Sequence, residues 1–372
     1  MTNLPAAPSG AIRILLDCRM ASWTGVGRYS VGLARALACR DDVEVVLVLA
    51  PGETSPVPGA EVHVAERHPF AVEGSREFGR IVRRVAPDVT HCLHFPTPSP
   101  VRHPLVVTMH DLSPLLVAGI MPSRVKRAAY RALNMHAAHV ADRIITDSAF
   151  SLAEIVRTFP HAARLITSIP ISADDFSAGA HSKLEGPLAT LAEQPYLLSM
   201  GSTRPHKDLP TLLRAFERLA PAHPDLRLLL VGADTPGYVA KHLPSAPDSV
   251  RERVVFTGRV TDGELRTLMA GAAVFAFPSL YEGFGLPPLE AMALGTPVVV
   301  SDAASLPEVT AEAASYAPVG NDEVFAAAIG DILGDAALRD RHVAAGLARA
   351  AELTWAHTAE ATVAVYREVL GS

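Results

Sequence analysis

The segment Ser279-Leu-Tyr-Glu-Gly-Phe-Gly-Leu-Pro-Pro-Leu-Glu290 concentrates the groups best suited to chemistry. Two carboxylates, Glu282 and Glu290, stand eight residues apart. Between them, Gly283 and Gly285 flank Phe284 and let a backbone approach a ligand closely. A helix opens next, so the N–H groups of Gly285 and Leu286 can receive an anion such as a phosphate. Glu290, one turn into that helix, can accept two hydrogen bonds from a ribose diol, as acidic residues do in dinucleotide-binding folds. The plainer alternative is a glycine-rich turn carrying two surface glutamates.

Three further segments carry candidate groups. Gly201-Ser-Thr-Arg-Pro-His-Lys-Asp208 joins a strand to a helix, where Lys207 is placed to neutralise a diphosphate and Arg204 adds a second cation. A solvated basic turn is the alternative. Thr24-Gly-Val-Gly-Arg-Tyr29 brings Gly25 and Gly27 to the start of a helix that follows the first strand. That helix N-terminus can take a phosphate, with Arg28 either beside it or serving only to cap the helix. A dinucleotide-dependent oxidoreductase would need a third glycine, but Ser30 stands at that position. Val107-Thr-Met-His-Asp111 ends a strand, so His110 points toward the ligand side of a parallel sheet. Among 15 histidines it alone has such neighbours, and it suits ligand contact or proton transfer.

The elements that must position these groups alternate along the chain. Strands are predicted over 12–18, 43–50, 89–93, 105–109, 144–146 and 165–169, with helices over 27–40, 75–85 and 124–140. Strands separated by helices cannot pair through tight hairpins and form a parallel sheet covered on both faces. Residues 171–195, rich in Ser, Ala, Gly, Pro and acidic side chains, interrupt the pattern and are expected to be a linker. The alternation then restarts with strands over 196–200, 226–231, 254–256, 274–277 and 297–300. Helices are expected over 209–219, 262–270 (capped by Thr261), 288–294, 324–333, 338–351 and 355–369. The expected architecture is α/β, two tandem doubly wound domains over 1–170 and 196–354. Ligands of such sheets sit beyond the carboxyl ends of the strands. Two of them facing a cleft would suit a transferase with two substrates.

The 279–290 segment resembles the E-x7-E signature of the retaining glycosyltransferases of family 4, which have the GT-B fold. The resemblance runs on through Ala291-Met-Ala-Leu-Gly-Thr-Pro-Val-Val-Val300, Ser305-Leu-Pro-Glu308 and Trp355. It covers nearly all of the second half and, more loosely, the first. The resemblance implies a Rossmann-like acceptor domain, a nucleotide-sugar donor domain, and a last helix (about 355–372) that returns to the first domain. It places Glu282 beside the donor sugar and Glu290 on the ribose. It likens 201–208 to a Gly-Arg…Lys motif for the donor pyrophosphate. Lys207 matches the Lys, Ser202 stands where the Arg is usual, and Arg204 is the substitute. It sets Gly25 and Gly27 near the donor phosphates and the acceptor, and His110 near the donor sugar. The implied reaction moves a hexosyl group, mannose from GDP-mannose by preference, to a glycan, lipid-linked or small-molecule hydroxyl with retention. No cofactor and no metal are expected, and no D-x-D sequence occurs. A UDP-sugar-dependent member, a nucleotide-sugar epimerase or hydrolase, and a non-catalytic nucleotide-sugar-binding protein are the alternatives.

Composition agrees with a globular enzyme. Of the 372 residues, 49% are hydrophobic and 19% charged, too apolar for a disordered chain. A net charge of −6 argues against a nucleic-acid partner. The charge is unevenly shared: residues 1–170 hold 18 basic and 14 acidic side chains, residues 171–372 hold 15 and 25. Different partners for the two halves, or chance, would produce this. Cys18, Cys39 and Cys92 follow no metal-ligand or disulfide pattern. No apolar run is long enough to span a membrane, and the N-terminus lacks a signal-peptide layout. A cytoplasmic location follows as the expectation. Arg124, Lys126, Arg127 and Arg131 on one helix would suit peripheral contact with the inner membrane face, or simply a solvated helix.

Overall fold

The computed structural model describes residues 10–200, 203–232, 235 and 237–371. The first sheet contains β1 (Ile12–Asp17), β2 (Val43–Leu49), β3 (Glu61–Val64), β4 (Val89–Cys92), β5 (Leu105–Thr108), β6 (Arg143–Thr146) and β7 (Ile166–Ser168). Its spatial order is β3-β2-β1-β4-β5-β6-β7. The second contains β8 (Tyr196–Met200), β9 (Arg227–Val231), β10 (Val254–Gly258), β11 (Val274–Phe277), β12 (Val298–Ser301) and β13 (Ala314–Ala317). Its order is β10-β9-β8-β11-β12-β13. Every strand pair is parallel. Parallel strands covered on both faces read as continuous apolar runs. Leu197, Leu198, Leu228 and Leu229 are accordingly buried on both faces of the second sheet.

Each order reverses direction once, between β1 and β4 in the first sheet and between β8 and β11 in the second. At such a switch point, neighbouring strands send their connections to opposite faces and leave a crevice beyond their carboxyl ends. The candidate residues cluster at these ends. Gly25 and Gly27 follow β1, His110 follows β5, Lys207 follows β8, and Glu282 follows β11.

The chain forms two compact units. One comprises the residues up to Leu115, Ser123–Ile171 and the stretch from Trp355 onward; the other comprises Leu116–Pro122 and Ser172–Thr354. Ile171 is therefore part of the first unit, and residues 172–195 of the expected linker are part of the second. They carry helices Asp174–Ser177 and Gly186–Ala192. They pack on the second unit, where Arg266 donates to the carbonyls of Ala180 (2.8 Å) and Phe176 and stacks on the Phe176 ring. Their polar composition concealed these backbone contacts. The edge strand β3 and the helix Ala149–Thr158 also escaped the sequence reading. The four residues Glu-Val-His-Val of β3 are too short a run to register.

The helix Trp355–Val369 belongs to the first unit. Thr358 donates to the Pro170 carbonyl at 2.8 Å, and Tyr366 meets His91 on β4 at 2.6 Å. Trp355 lies flat against Gly32 in the helix Thr24–Ala38: a Cβ there would stand 2.2 Å from the indole.

Candidate active site

In the second unit, the loops after β8 and β11 are joined edge to edge. The Leu280 N–H donates to the His206 carbonyl at 2.7 Å. The Ser279 hydroxyl lies within reach of that same carbonyl and of Glu282 Oε1. This joint brings Lys207 Nζ to 2.7 Å from Glu282 Oε1, a pair retaining 18% and 15% side-chain exposure. Lys207 also stands 4.9 Å from the Phe277 ring centroid, on a surface that favours a cation. Ser305 secures the far end of the loop by donating to the carbonyls of Glu282 (2.9 Å) and Phe284 (2.6 Å).

The helix Leu286–Ala293 starts from Gly285 at φ 109°, where a Cβ would also strike Leu306. Pro287 and Pro288 occupy its first turn and lack N–H groups, so Gly285 and Leu286 carry the donors at this helix start. Gly283 and Phe284 are buried in the loop, Phe284 to 6% exposure. Glu290 is buried at 2% on the fifth helical residue. Arg204 is exposed, just ahead of Lys207. Ser202 and Gly201 lie outside the described residues. His206 is buried beside Lys207; burial, with the lysine's charge adding, lowers its pKa.

In the first unit, His110 Nδ1 stands 2.7 Å from Asp147 Oδ2, and Nε2 stands 3.0 Å from the Leu93 carbonyl. A carboxylate and a carbonyl both accept, so this setting favours the doubly protonated ring, with a donor on each nitrogen. Burial opposes that charge, but Asp147 outweighs it and raises the His110 pKa above the ordinary value. His110 as a proton acceptor would first have to release one of these donors. Its ring meets Tyr29 edge-on at 4.8 Å, so the helix that carries Gly25 and Gly27 abuts His110 through Tyr29. Tyr29 donates to or accepts from Thr108 (3.0 Å), Thr108 meets His91 (2.8 Å), and His91 meets Tyr366. All four are buried.

The two glycines differ. A Cβ on Gly27 would lie 2.2 Å from the Ala21 carbonyl oxygen, so the turn after β1 itself demands glycine there. A Cβ on Gly25 would meet nothing. The basic helix Arg124–Val140 is capped by Ser123 and exposes Arg124, Val125, Lys126 and Arg131. Arg131 also reaches the Phe159 ring, at 5.8 Å.

Asp147, Ser279, Phe277 and Ser305 were not legible as site residues. Asp147 is 37 residues from His110 and reaches it only because β5 and β6 pair with Thr108 opposite Ile145. Ser305 acts through backbone carbonyls, and Ser279 through the His206 carbonyl as well as Glu282; contacts to carbonyls leave no residue pattern.

Comparison with known proteins places the chain in a family. A model of glycosyl transferases group 1 matches residues 183–349, and a glycosyl transferase 4-like domain matches residues 24–169. The Escherichia coli O-antigen chain mannosyltransferase B is 30% identical over 92% of this chain and 96% of its own. A Mycobacterium tuberculosis phosphatidyl-myo-inositol mannosyltransferase is 33% identical over 45% of each. Among solved structures, a Thermosynechococcus elongatus sucrose-phosphate synthase superposes with a TM-score of 0.76 at 21% identity, over 97% of this chain and 99% of that one. Anabaena Alr3699/HepE, solved with UDP and glucose, gives 0.70 at 19%, over 97% and 100%. With two parallel-sheet Rossmann-like domains and these matches, the chain belongs to the family 4-type glycosyltransferases of the GT-B fold, and it is mannosyltransferase-like.

Proposed function

We propose that the protein transfers a hexosyl group from a nucleotide-diphosphate sugar to the hydroxyl of a glycan, lipid-linked or small-molecule acceptor, with retention and without a metal. GDP-mannose is the preferred donor over a UDP-hexose. The observation that carries this reading is the Lys207–Glu282 pair beside the Gly285 helix start, at the switch point of the second sheet. The 30% identity to an O-antigen chain mannosyltransferase supports mannose.

Breaking the anomeric C–O bond develops positive charge on the sugar and negative charge on the diphosphate. Lys207, Arg204 and the N–H groups of Gly285 and Leu286 are the donors available to the leaving phosphate. Glu290 would hold the ribose hydroxyls, and Glu282 the sugar side. Glu282 also holds Lys207 at 2.7 Å, so in this reading the carboxylate fixes the ammonium that would meet the diphosphate. A two-step route would need an enzymic nucleophile. The reading instead has the acceptor attack from the leaving-group side and pass its proton to the departing phosphate. His110 would donate to the donor sugar only by releasing its Nε2–H from the Leu93 carbonyl, with Asp147 holding the other ring nitrogen.

The test is a thermal-shift panel with GDP, UDP, ADP and TDP, with and without Mg²⁺. A ligand at 100 times its Kd adds about 2.7 kcal/mol to stability. A metal-independent shift with GDP alone is expected. A shift with UDP alone would replace the donor base, and a shift requiring Mg²⁺ would overturn the metal-free clamp. Exposed Val125, Leu133 and Met135 on the helix of Arg124, Lys126, Arg127 and Arg131 favour contact with an anionic membrane face. Failure to sediment with anionic vesicles would remove that part of the reading.

A further inference from the structure

A second concentration of positive charge lies on the first unit, on the chain between β3 and β4. Arg76, Arg80 and Arg83 project from the helix Val72–Val85 at the spacing of one helical face, and Arg67 joins them from the preceding loop. They line an open hollow of about 430 Å³. None of its lining residues is among those that hold His110.

The hollow is built by specific packing. The Ser99 N–H donates to the Ser75 carbonyl at 2.8 Å, and a Cβ on Gly79 would lie 2.2 Å from the Ser99 carbonyl oxygen. Ser75 and Gly79 thus seat the 99–100 loop on one face of the helix and make it the wall opposite the arginines. Acidic compensation is thin. Glu77 is committed to the Arg67 backbone N–H at 2.8 Å, leaving Glu73 as the one carboxylate on the lining. Among the described residues, no carboxylate lies within 4 Å of the guanidinium of Arg67, Arg76, Arg80 or Arg83. Four like charges around one hollow repel each other unless an anion joins them.

We infer that this hollow is a binding site for a phosphate- or diphosphate-bearing ligand, distinct from the nucleotide-sugar site proposed for the second unit. Guanidinium forks match phosphate oxygens two at a time, and several of them suit a diphosphate better than a single carboxylate. The volume falls in the range of small-molecule sites, about 300–1,000 Å³. The inference does not depend on the donor reading.

The test uses full-length protein and inorganic pyrophosphate, followed by calorimetric titration in a Lys207→Ala background so that the second unit's lysine contributes nothing. Pyrophosphate is expected to bind this background, and Arg76→Ala with Arg80→Ala and Arg83→Ala is expected to weaken it at least about tenfold, or about 1.4 kcal/mol. These side chains are exposed, so the fold should persist, checked by circular dichroism. Arg84→Ala is the control: Arg84 sits on the same helix but bonds His63 and does not line the hollow. Unchanged affinity in the triple variant, absence of binding once Lys207 is removed, or an equal loss in Arg84→Ala would each overturn the site. Parallel sedimentation with phosphatidylglycerol and phosphatidylcholine vesicles separates the ligand's source. Loss of phosphatidylglycerol binding in the triple variant supports a lipid headgroup, and pyrophosphate binding without vesicle dependence supports a soluble phosphate ester.

Discussion

Glu282 has two neighbours that a single substitution disturbs together, Lys207 and Ser279. Glu282→Ala should lower turnover at least about tenfold, about 1.4 kcal/mol of barrier, with the far-ultraviolet spectrum intact. Glu282→Gln keeps an oxygen for Lys207 but loses the charge. If it restores donor affinity without restoring turnover, the carboxylate charge acts on the reacting sugar. Near-normal turnover in the alanine variant would remove Glu282 from the chemistry. The buried histidines titrate in opposite senses. His110 has a raised pKa, so the stability of its Asp147 pair is present below pH 6.5 or so and is lost as pH rises through the folded value. His91 is pushed down to about 3 by burial, with the His110 charge adding. Its neutral folded form costs stability as pH falls below about 6.5, by about 1.4 kcal/mol per pH unit. Denaturant midpoints should therefore drop between pH 7 and pH 5. In imidazole NMR, His110 should stay charged above the ordinary range in the wild type and titrate lower in Asp147→Asn.

At the scale of elements, small residues decide where helices rest. Gly32→Ala drives a methyl into the Trp355 ring and should destabilise the first unit by about 1–3 kcal/mol, read by denaturation and by a change in tryptophan emission. Tyr366→Phe leaves His91 Nδ1 without its partner, a cost of about 1–3 kcal/mol. Thr261→Ala breaks a capping box in which Thr261 and Glu264 satisfy each other's backbone N–H groups, for about 1 kcal/mol. That helix start was legible because its signal is local: Thr261 and Glu264 are three residues apart. The Gly32–Trp355 contact was not, because its partners stand at opposite ends of the chain.

At the scale of the molecule, the chain is two units, and the first is completed by the stretch from Trp355 onward, which follows the second unit in the sequence. Multidomain chains depart from two-state unfolding. Calorimetry should resolve two transitions, and truncation after Thr354 should lower one of them while leaving the other near its original temperature. A nucleotide that binds the second unit should raise the other transition in the same experiment. A single shared transition, lost as a whole on truncation, would contradict this division.

The sequence by itself determined the period of the elements and the identity of the chemical groups. Alternating apolar runs dictated parallel sheets, and Val274–Phe277, Leu209–Leu219 and Trp355–Val369 were readable to the residue. The 279–290 segment was legible because its glycines and carboxylates act on a backbone only a few residues away. Tertiary structure alone decided the pairings: Lys207 with Glu282 across 75 residues, His110 with Asp147 across 37, and Tyr366 with His91 across 275. It also set His110 against Asp147, which raises its pKa, and placed residues 172–195 in the second unit. The physical reason is range. Propensity, caps and turns are written within a few residues, whereas charge state and packing depend on which strand ends a parallel sheet brings side by side.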